Sequence, residues 1–431
     1  MLIEFSVGNY RSFKDPVTLS LVAAPLESAD PDLDRHNLYQ VDDKLSLLKS
    51  AALYGANASG KSNLIKAMHF MKHFMINSSR AGQSTDVIPI EPFRLSTETI
   101  GQPSFFELVF LLGGIQYRYG FEVTTQAVTS EWLYYVPQQR ETRVFDRKGS
   151  TIEATKWLKA SGLAGRTRNN ALFLSVCAQF NVELAEQILE FMDSSLQIIS
   201  GLEDDGYMSY TLQQLLEGDY APQIHKLLQS LDLGFQSVQV REFELNSNNL
   251  PPDLSDSFKA ALLETVESKV GLSLQTVHHK YNGTGQRVAP ELFDWKAQES
   301  EGTQKMIALS GPLINVLEQG SILLIDELDA RLHPLLSQAI IKLFNSADTN
   351  PNHAQLIFTT HDTNLLSHKF WRRDQLWFTE KQENGASDLY SLVEYKGVSS
   401  DAAFAKDYIQ GRYGAIPYVG GLKHLFAAEN P

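Results

Sequence analysis

A glycine-rich segment constrains the fold of this chain more than any other feature: Gly55-Ala56-Asn57-Ala58-Ser59-Gly60-Lys61-Ser62. It fits the pattern G-x-x-x-x-G-K-[ST], between an apolar run at residues 51–54 that predicts a strand and residues 63–71 that predict a helix. Gly55 and Gly60 allow backbone N–H groups to turn toward a phosphate at the positive end of that helix. The segment predicts a phosphate-binding loop in an α/β fold. The alternative is a chance glycine-rich turn before a helix.

The polar positions of this loop have expected roles. Lys61 would reach the β- and γ-phosphates of a nucleoside triphosphate, and the Ser62 hydroxyl would coordinate Mg²⁺. Gly55, Asn57 and Gly60 would complete the phosphate cradle. The predicted cofactors are therefore ATP and Mg²⁺.

A second apolar run, at residues 321–325, ends in two carboxylates, Asp326 and Glu327. A continuous apolar run predicts a central parallel strand covered on both faces, and such sheets bind ligands at the carboxyl ends of their strands. Asp326 would hold Mg²⁺ through water, and Glu327 would orient and deprotonate the water that attacks the γ-phosphate. The alternative is a pair of solvated acids before the next helix.

Composition restricts the class of protein. A chain of 431 residues has room for two or three domains, and 43% hydrophobic residues is typical of globular proteins. The single cysteine, Cys177, excludes an internal disulfide framework and suits a reducing cytoplasm. Because Glu4 comes early and no long apolar run follows, we expect neither a signal peptide nor a membrane span. The predicted location is cytoplasmic, without membrane contact.

The net charge of −14 argues against a protein that coats nucleic acid through its overall electrostatics. One dense basic cluster occurs at residues 369–373, within the string His-Lys-Phe-Trp-Arg-Arg. It is either a solvated turn beside a core aromatic residue or a local nucleic-acid contact.

Hydrophobic patterning divides the chain into three predicted parts. Residues 1–150 would carry the phosphate loop and an antiparallel β lobe, because the chain alternates in polarity after residue 105. Residues 151–284 mostly show helical patterns without a persistent heptad, which predicts an inserted compact helical lid. The candidate helices cover residues 183–191, 211–216, 224–231 and 258–270, and residues 282–285 would mark the exit from the lid. Residues 285–431 would fold together with residues 1–150 and carry the second carboxylate strand.

An aromatic and aliphatic stripe follows the Gly113-Gly114 turn of this lobe. It consists of Ile115, Tyr117, Tyr119, Phe121 and Val123. Such a stripe predicts the core face of a sheet, and a platform on which bases stack is the alternative.

A glycine-containing segment precedes the second carboxylate strand: Glu299-Ser300-Glu301-Gly302-Thr303-Gln304. It resembles the ABC signature L-S-G-G-Q, since Gly302 opens a helix whose backbone N–H groups can meet phosphate. Glu301 stands at the serine position and Thr303 at that of the second glycine. Either Ser300 or Thr303 would therefore contact the γ-phosphate. The alternative is a plain helix start.

Two further residues resemble parts of ABC-type ATPases. Asp329 occupies the position of the D-loop and should face a partner subunit. His361 follows the apolar run at residues 355–359 and matches the switch histidine, which would hydrogen-bond the γ-phosphate. A lone histidine is otherwise most often structural.

The N-terminal loop Asn9-Tyr10-Arg11-Ser12-Phe13 resembles the start of the ABC-type ATPase heads of SMC, RecF and OLD-family proteins. In that class the basic residue lies against the nucleotide, so the resemblance assigns Arg11 to the nucleotide site. An ordinary surface arginine is the alternative. The resemblance implies an α/β fold class, an ABC-type P-loop ATPase head with a mixed sheet, flanking helices and an antiparallel β lobe.

Residues 408–417 resemble the C-terminus of AAA/ABC-like ATPases of bacterial abortive-infection loci, typified by RloA and AbiLi and related to AriA and PtuA. The N-terminal loop, the signature and the string Glu-Leu-Asp-Ala-Arg-Leu-His-Pro carry the same resemblance, which does not cover the lid. It implies an ATP-hydrolysing sensor of an anti-phage system that forms a head-to-head homodimer or a higher oligomer of dimers. A separately encoded effector, such as a nuclease toxin, would be its partner.

Two other functions stay open. An SMC- or RecF-like DNA-binding repair ATPase would share the head, although the acidic composition and the missing coiled coil weigh against it. A P-loop transferase is disfavoured because Glu327 and His361 suit water as the acceptor.

Overall fold

The computed structural model describes residues 1–137, 140–203, 205–244 and 270–417, together with residues 246, 255 and 263. The chain forms two compact units. The first comprises Met1–Ser200, Gln319–Asp329 and Ser337–Pro431, and the second comprises Gly201–Glu318 and Ala330–Leu336. The predicted boundaries after residues 150 and 284 fall inside these units.

A mixed six-stranded sheet forms the centre of the first unit. With strands numbered in chain order, its spatial order is β11 (Leu196–Ser200), β15 (Ile322–Asp326), β16 (Gln355–Thr359), β5 (Ser50–Tyr54), β17 (Leu376–Lys381) and β18 (Ser387–Ser391). Neighbours are parallel except for the antiparallel pair β17–β18. The central strands are buried on both faces, as their continuous apolar sequences predict. Their carboxyl ends therefore meet at one edge.

Seven antiparallel strands form the β lobe of the same unit. Their spatial order is β10 (Thr151–Ala154), β9 (Thr142–Lys148), β8 (Val128–Val136), β7 (Ile115–Val123), β6 (Ser104–Leu112), β1 (Leu2–Gly8) and β2 (Val17–Ser20). Gly113 and Gly114 have φ of 58° and 77° and close the β6–β7 hairpin as predicted. Tyr119, Phe121 and Val123 are buried, so the aromatic stripe is the core of the lobe. It is not a platform for bases.

Helices cover the sheets of the first unit, and a small hairpin adds β3 (Leu38–Gln40) and β4 (Ser46–Leu48). The helices are α1 (Pro31–His36), α2 (Lys61–Asn77), α3 (Phe173–Gln179), α4 (Glu183–Ser194), α9 (Pro334–Asn345) and α10 (Phe404–Ile409). The predicted fold class, a mixed sheet with flanking helices and an antiparallel β lobe, is confirmed. None of the helices in the described parts of the chain is both long and apolar enough to cross a bilayer.

The second unit combines helices with a sheet. Its elements are α5 (Asp205–Glu217), α6 (Ala221–Ser230), β12 (Ser237–Glu244), β13 (Val270–Tyr281), β14 (Arg287–Asp294), α7 (Trp295–Gln298) and α8 (Glu301–Gln319), the last of which ends in the first unit. The sequence predicted a compact, mostly helical lid, whereas the structure adds three strands here, and residues 282–285 lie in the β13–β14 turn rather than at an exit. Most of β14 is exposed, so this strand lacks the buried face that makes alternation visible in a sequence. The predicted helix over residues 258–270 lies largely outside the described residues.

A close crossing joins α5 and α8 within the second unit. Thr211 Oγ1 donates to the Ala308 carbonyl over 2.6 Å and accepts from Gly311 N at 3.3 Å. A Cβ on Gly311 would lie 2.9 Å from Thr211 Cα, which real structures do not tolerate. Gly311 therefore permits the close contact between α5 and α8.

The basic cluster at residues 369–373 is largely structural. Trp371 is buried, and the buried Arg372 pairs with Asp34 and Asp374. The Arg373 guanidinium donates to the Val398 carbonyl. Because burial of a guanidinium requires such partners, Arg372 belongs to the core rather than to a solvated turn or a nucleic-acid surface.

A buried ion pair connects the β lobe to α3. Glu131 and Arg147 are 0% and 1% exposed, with Arg147 Nη1 3.5 Å from Glu131 Oε2. Glu131 also accepts from Phe173 N at 2.6 Å and from Leu174 N at 3.0 Å, which caps the start of α3. Burial raises the pKa of Glu131, and the Arg147 charge opposes that rise.

We expect Glu131→Ala to lower the free energy of unfolding by about 3–5 kcal/mol, because it leaves a buried guanidinium without its carboxylate. Chemical denaturation of the purified variant would measure this loss. Glu153→Ala is the matched control, since the Arg143–Glu153 pair in the same lobe is 45% and 65% exposed and should contribute less than about 1 kcal/mol. Equal losses in both variants would contradict the role assigned to the buried pair.

Candidate nucleotide site

The glycine-rich loop follows the carboxyl end of β5 and leads into α2. Gly55 and Gly60 adopt φ of 155° and 125°. A Cβ on Gly55 would lie 2.5 Å from Ser59 Oγ, and one on Gly60 would lie 2.5 Å from Ser387 Oγ. Both glycines are therefore required by close packing as well as by backbone conformation. The strand–loop–helix arrangement is the one that the sequence predicted.

Lys61 is folded back over this loop. Its ammonium donates to the carbonyls of Gly55 and Ala56, at 2.8 and 3.1 Å. Burial lowers the pKa of Lys61 to about 8, although the nearby acidic residues oppose the shift. An anionic phosphate in the loop would restore a full charge partner to this ammonium.

A hydroxyl and a carboxylate meet at the start of α2. Ser62 Oγ donates to Asp326 Oδ1 over 3.1 Å, which joins the first turn of the helix to the end of β15. Mg²⁺ commonly takes only one or two protein oxygens and completes its octahedron with phosphate and water, so this pair fits such an ion. No group of three or more His, Cys, Asp or Glu suited to a metal occurs within the described ranges. A Mg²⁺ held by Ser62 and Asp326 would take its other ligands from phosphate and water.

Thr359, at the end of β16, contacts the carboxylate of Asp326 and the backbone of Glu327. Its hydroxyl donates to Asp326 Oδ1 and accepts from Glu327 N, each at 2.7 Å. Glu327 has a φ of 58°, a left-handed conformation that costs about 1–3 kcal/mol for a residue other than glycine. Strain of this kind persists where the surrounding structure enforces it. Here it turns the chain at Glu327 out of the strand.

One cavity of about 460 Å³ brings together six of the predicted site residues. Its lining comprises Ser12, Asn57, Ala58, Ser59, Gly60, Lys61, Ser62, Asn63, Glu327, His361 and Lys381. The P-loop lysine, the predicted general base and the predicted switch histidine therefore face one space. Partial burial and the Lys61 charge lower the pKa of His361, so its imidazole is neutral at neutral pH. His361 N lies 3.4 Å from Asp329 Oδ2, which ties the D-loop position to the same edge.

Arg11 does not line this cavity. Its guanidinium pairs with Glu91 at 2.7 Å and lies over the Tyr10 ring. The next residue, Ser12, lines the cavity instead and accepts from Asn63 Nδ2 at 2.8 Å. The N-terminal loop thus reaches the site through its serine.

The signature residues lie in the second unit. Ser300 Oγ accepts from Thr303 N at 3.2 Å, and the two hydroxyls lie 2.9 Å apart. A Cβ on Gly302 would lie 2.7 Å from the Arg331 carbonyl oxygen. Gly302 therefore has a packing role in its own unit, besides any role toward phosphate.

Sequence reasoning missed Ser12, Asn63, Thr359 and Lys381 as members or supports of the site. Ser12 and Asn63 directly flank residues that were assigned, so neighbourhood to a motif was an available signal. Thr359 precedes the Thr360-His361 pair at the end of a predicted strand and could have been found in the same way. Lys381 carries no local signal, because only the pairing of β17 with β5 brings it near the loop.

Solved structures show low sequence identity to this chain. The SMC head domain from Thermotoga maritima is 13% identical, with 90% of this chain and 98% of that chain covered and a TM-score of 0.41. The recombination mediator protein RecF with ATP is 11% identical, with 90% and 99% covered and a TM-score of 0.36. The Smc head domain with a coiled coil and joint derived from Pyrococcus yayanosii is 11% identical, with 96% and 99% covered and a TM-score of 0.42. Among curated proteins, none matches.

A protein family matches most of the chain. Its description is "AAA domain, putative AbiEii toxin, Type IV TA system", and the match covers residues 50–367. These residues include the phosphate loop, Asp326, Glu327 and His361. The chain belongs to this family of AAA-domain proteins.

Proposed function

We propose that this protein binds and hydrolyses ATP with Mg²⁺. The observation that carries the proposal is the shared cavity, around which Lys61, Ser62, Glu327 and His361 lie with Asp326 hydrogen-bonded to Ser62. These residues supply a phosphate cation, a metal-binding pair, a carboxylate base and a neutral imidazole. Together they suit water, rather than a second substrate, as the phosphoryl acceptor.

This geometry supports the following residue roles. Lys61 would move its ammonium from the loop carbonyls to the β- and γ-phosphates. Ser62 and Asp326 would hold Mg²⁺, which, when bound, neutralises part of the phosphate charge. Glu327 would accept a proton from the water whose oxygen bonds to the γ-phosphorus, while the bond to the β,γ-bridging oxygen breaks. His361 would donate its single N–H to the γ-phosphate.

We further propose that two heads enclose ATP between them. Support comes from the resemblance of residues 299–304 to an ABC signature and from the position of Asp329 next to His361. In such a homodimer the signature of one subunit, with Ser300, Gly302 and Thr303, would meet the γ-phosphate held by Lys61 of the other. The dimer would open after hydrolysis, and larger assemblies of dimers are compatible with it.

The biological role that we propose is regulation of anti-phage defence in the cytoplasm. The family description names a toxin of a Type IV toxin–antitoxin system, and the terminal segments resemble abortive-infection ATPases of the RloA, AbiLi, AriA and PtuA type. The nucleotide-driven dimer would control a separately encoded effector, such as a nuclease toxin. Affinity purification from the native locus, read by mass spectrometry, tests this role. Recovery of no effector after phage infection would contradict it.

We expect Lys61→Ala to abolish nucleotide binding, because the phosphates lose the cation that the loop provides. Isothermal titration calorimetry with MgATP and MgADP would measure both affinities. An unchanged ATP affinity would overturn the assignment of the phosphate loop.

The pH dependence of ATP affinity in the parental protein tests the same role of Lys61. Since the pKa of Lys61 is lowered to about 8 in the free protein, affinity should fall as the pH rises above that value and the lysine becomes neutral. Any binding that Lys61→Ala retained would lack this dependence.

We expect Glu327→Gln to bind ATP but to turn it over about 10²–10⁴-fold more slowly, the usual loss for a positioned general base. Phosphate release under saturating MgATP would measure turnover. Asp388→Asn serves as a control, because this exposed carboxylate of β18 does not line the cavity. Hydrolysis at the parental rate in Glu327→Gln would mean that another group is the base.

We expect ATP to close the dimer in Glu327→Gln. Cysteines at the exposed positions Asn57 and Ser300 should cross-link between subunits with ATP and not with ADP. The native Cys177 is buried and need not be removed. Thr303→Arg should block closure without disturbing the Gly302–Arg331 contact. Equal cross-linking with ATP, with ADP and without nucleotide would rule out nucleotide-driven engagement.

A further inference from the structure

The β17–β18 hairpin forms one wall of the phosphate loop. Ser59 Oγ lies 2.6 Å from Thr379 Oγ1, and the Ser387 hydroxyl donates to the Ser59 carbonyl over 2.5 Å. Ser387 N also donates to the Ser12 carbonyl at 2.7 Å. Because the side-chain contacts are buried, they give the hairpin one position relative to the loop. Residues at the end of β17 are thereby held beside the site.

Lys381 is the last residue of β17, two positions beyond Thr379. It lines the cavity of the phosphate loop with Lys61 and His361. It also lines an adjoining cavity of about 730 Å³, to which Asn57 and His361 contribute as well. Lys381 therefore lies where the two cavities meet, and it lies beyond residue 367, at which the family match ends.

The Lys381 side chain is exposed, and its ammonium has no hydrogen-bond or ion-pair partner within the described part of the chain. The exposed Lys280, by contrast, pairs with Glu291 at 2.6 Å. No protein carboxylate therefore has to be released before Lys381 contacts a ligand.

A second cation in the site would help to neutralise the charge of a bound triphosphate. A nucleoside triphosphate carries several negative charges, and a bound divalent cation neutralises only part of them. Lys61 and Lys381 are the lysines that line the cavity, whereas Glu327 and the adjacent Asp326 add negative charge. Lys61 alone would leave an excess of negative charge, and Lys381 would reduce it.

We propose that Lys381 binds the terminal phosphate of ATP and thereby distinguishes ATP from ADP. This assignment rests on the proposed ATP site and adds to it. We assign Lys381 to the terminal phosphate because it lines both cavities together with His361, the residue proposed to contact that phosphate. Lys61, in contrast, contacts the start of the loop through the carbonyls of Gly55 and Ala56.

The test measures affinity for MgADP and for the magnesium complex of a non-hydrolysable ATP analogue with a β,γ-imido bridge. For Lys381→Ala we expect analogue binding to weaken about 10- to 100-fold, the usual effect of losing a charge-assisted hydrogen bond, and ADP binding to change less than about threefold. Lys381→Arg should retain most of the analogue affinity. Lys396→Ala is the matched control, since this exposed lysine in the same unit lines neither cavity.

The outcomes separate the two proposals. If Lys61→Ala loses both nucleotides while Lys381→Ala binds the analogue normally, the role of Lys381 is overturned and the ATP site stands. Equal weakening of ADP and analogue in Lys381→Ala would also overturn it, because the residue would then act on the loop or on the inner phosphates. Reduced cross-linking with normal analogue affinity would mean that Lys381 contacts the partner subunit instead. Parental ATP affinity in Lys61→Ala would remove the site itself.

Discussion

The site depends on the parallel pairing of β5, β16 and β15. This pairing aligns Leu53 with Thr359 and Ile325 with Phe358, so the phosphate loop and the carboxylates leave the sheet at one edge. The hydroxyl of Thr359 then contacts both Asp326 and Glu327. A shift of one residue in any of the three strands would turn its side chains toward the opposite face of the sheet. The chemistry is therefore encoded in strand register as much as in the motifs.

Buried polar groups fix this register and the attachment of the surrounding elements. The Gln355 side chain accepts from Leu2 N and donates to the carbonyls of Leu2 and Leu48, which joins β16 to the start of the β lobe. Arg372 joins the segment before β17 to the N-terminal part of the chain through Asp34. Each of these groups would be costly to bury alone, so alternative arrangements of the strands are penalised. Long-range polar contacts thus select one arrangement of an otherwise apolar core.

The sequence was informative where short-range chemistry decides the structure. The glycine-rich loop, the apolar strands around it and the carboxylates at the end of β15 are each specified within about ten residues, and all were predicted correctly as elements.

Prediction was less successful where contacts between residues distant in the sequence determine the structure. In the second unit, most of β14 is exposed and its sequence shows no clear alternation. Arg372 reads as part of a basic surface until Asp34 and Asp374 are seen beside it. The assignment of Arg11 to the nucleotide stays a prediction: Arg11 pairs with Glu91, and its neighbour Ser12 lines the cavity.

The hairpin that supports Ser59 has a consequence for how this family is recognised. Thr379 and Ser387 come after residue 367, yet they contact the loop that gives the family its chemistry. A fragment that ended with the family match would keep the phosphate loop, Asp326, Glu327 and His361 but lose one wall of that loop. The residues by which the family is recognised are thus fewer than the residues needed to bind a nucleotide. Sequence changes in β17 and β18 can therefore alter nucleotide preference while those motifs stay the same.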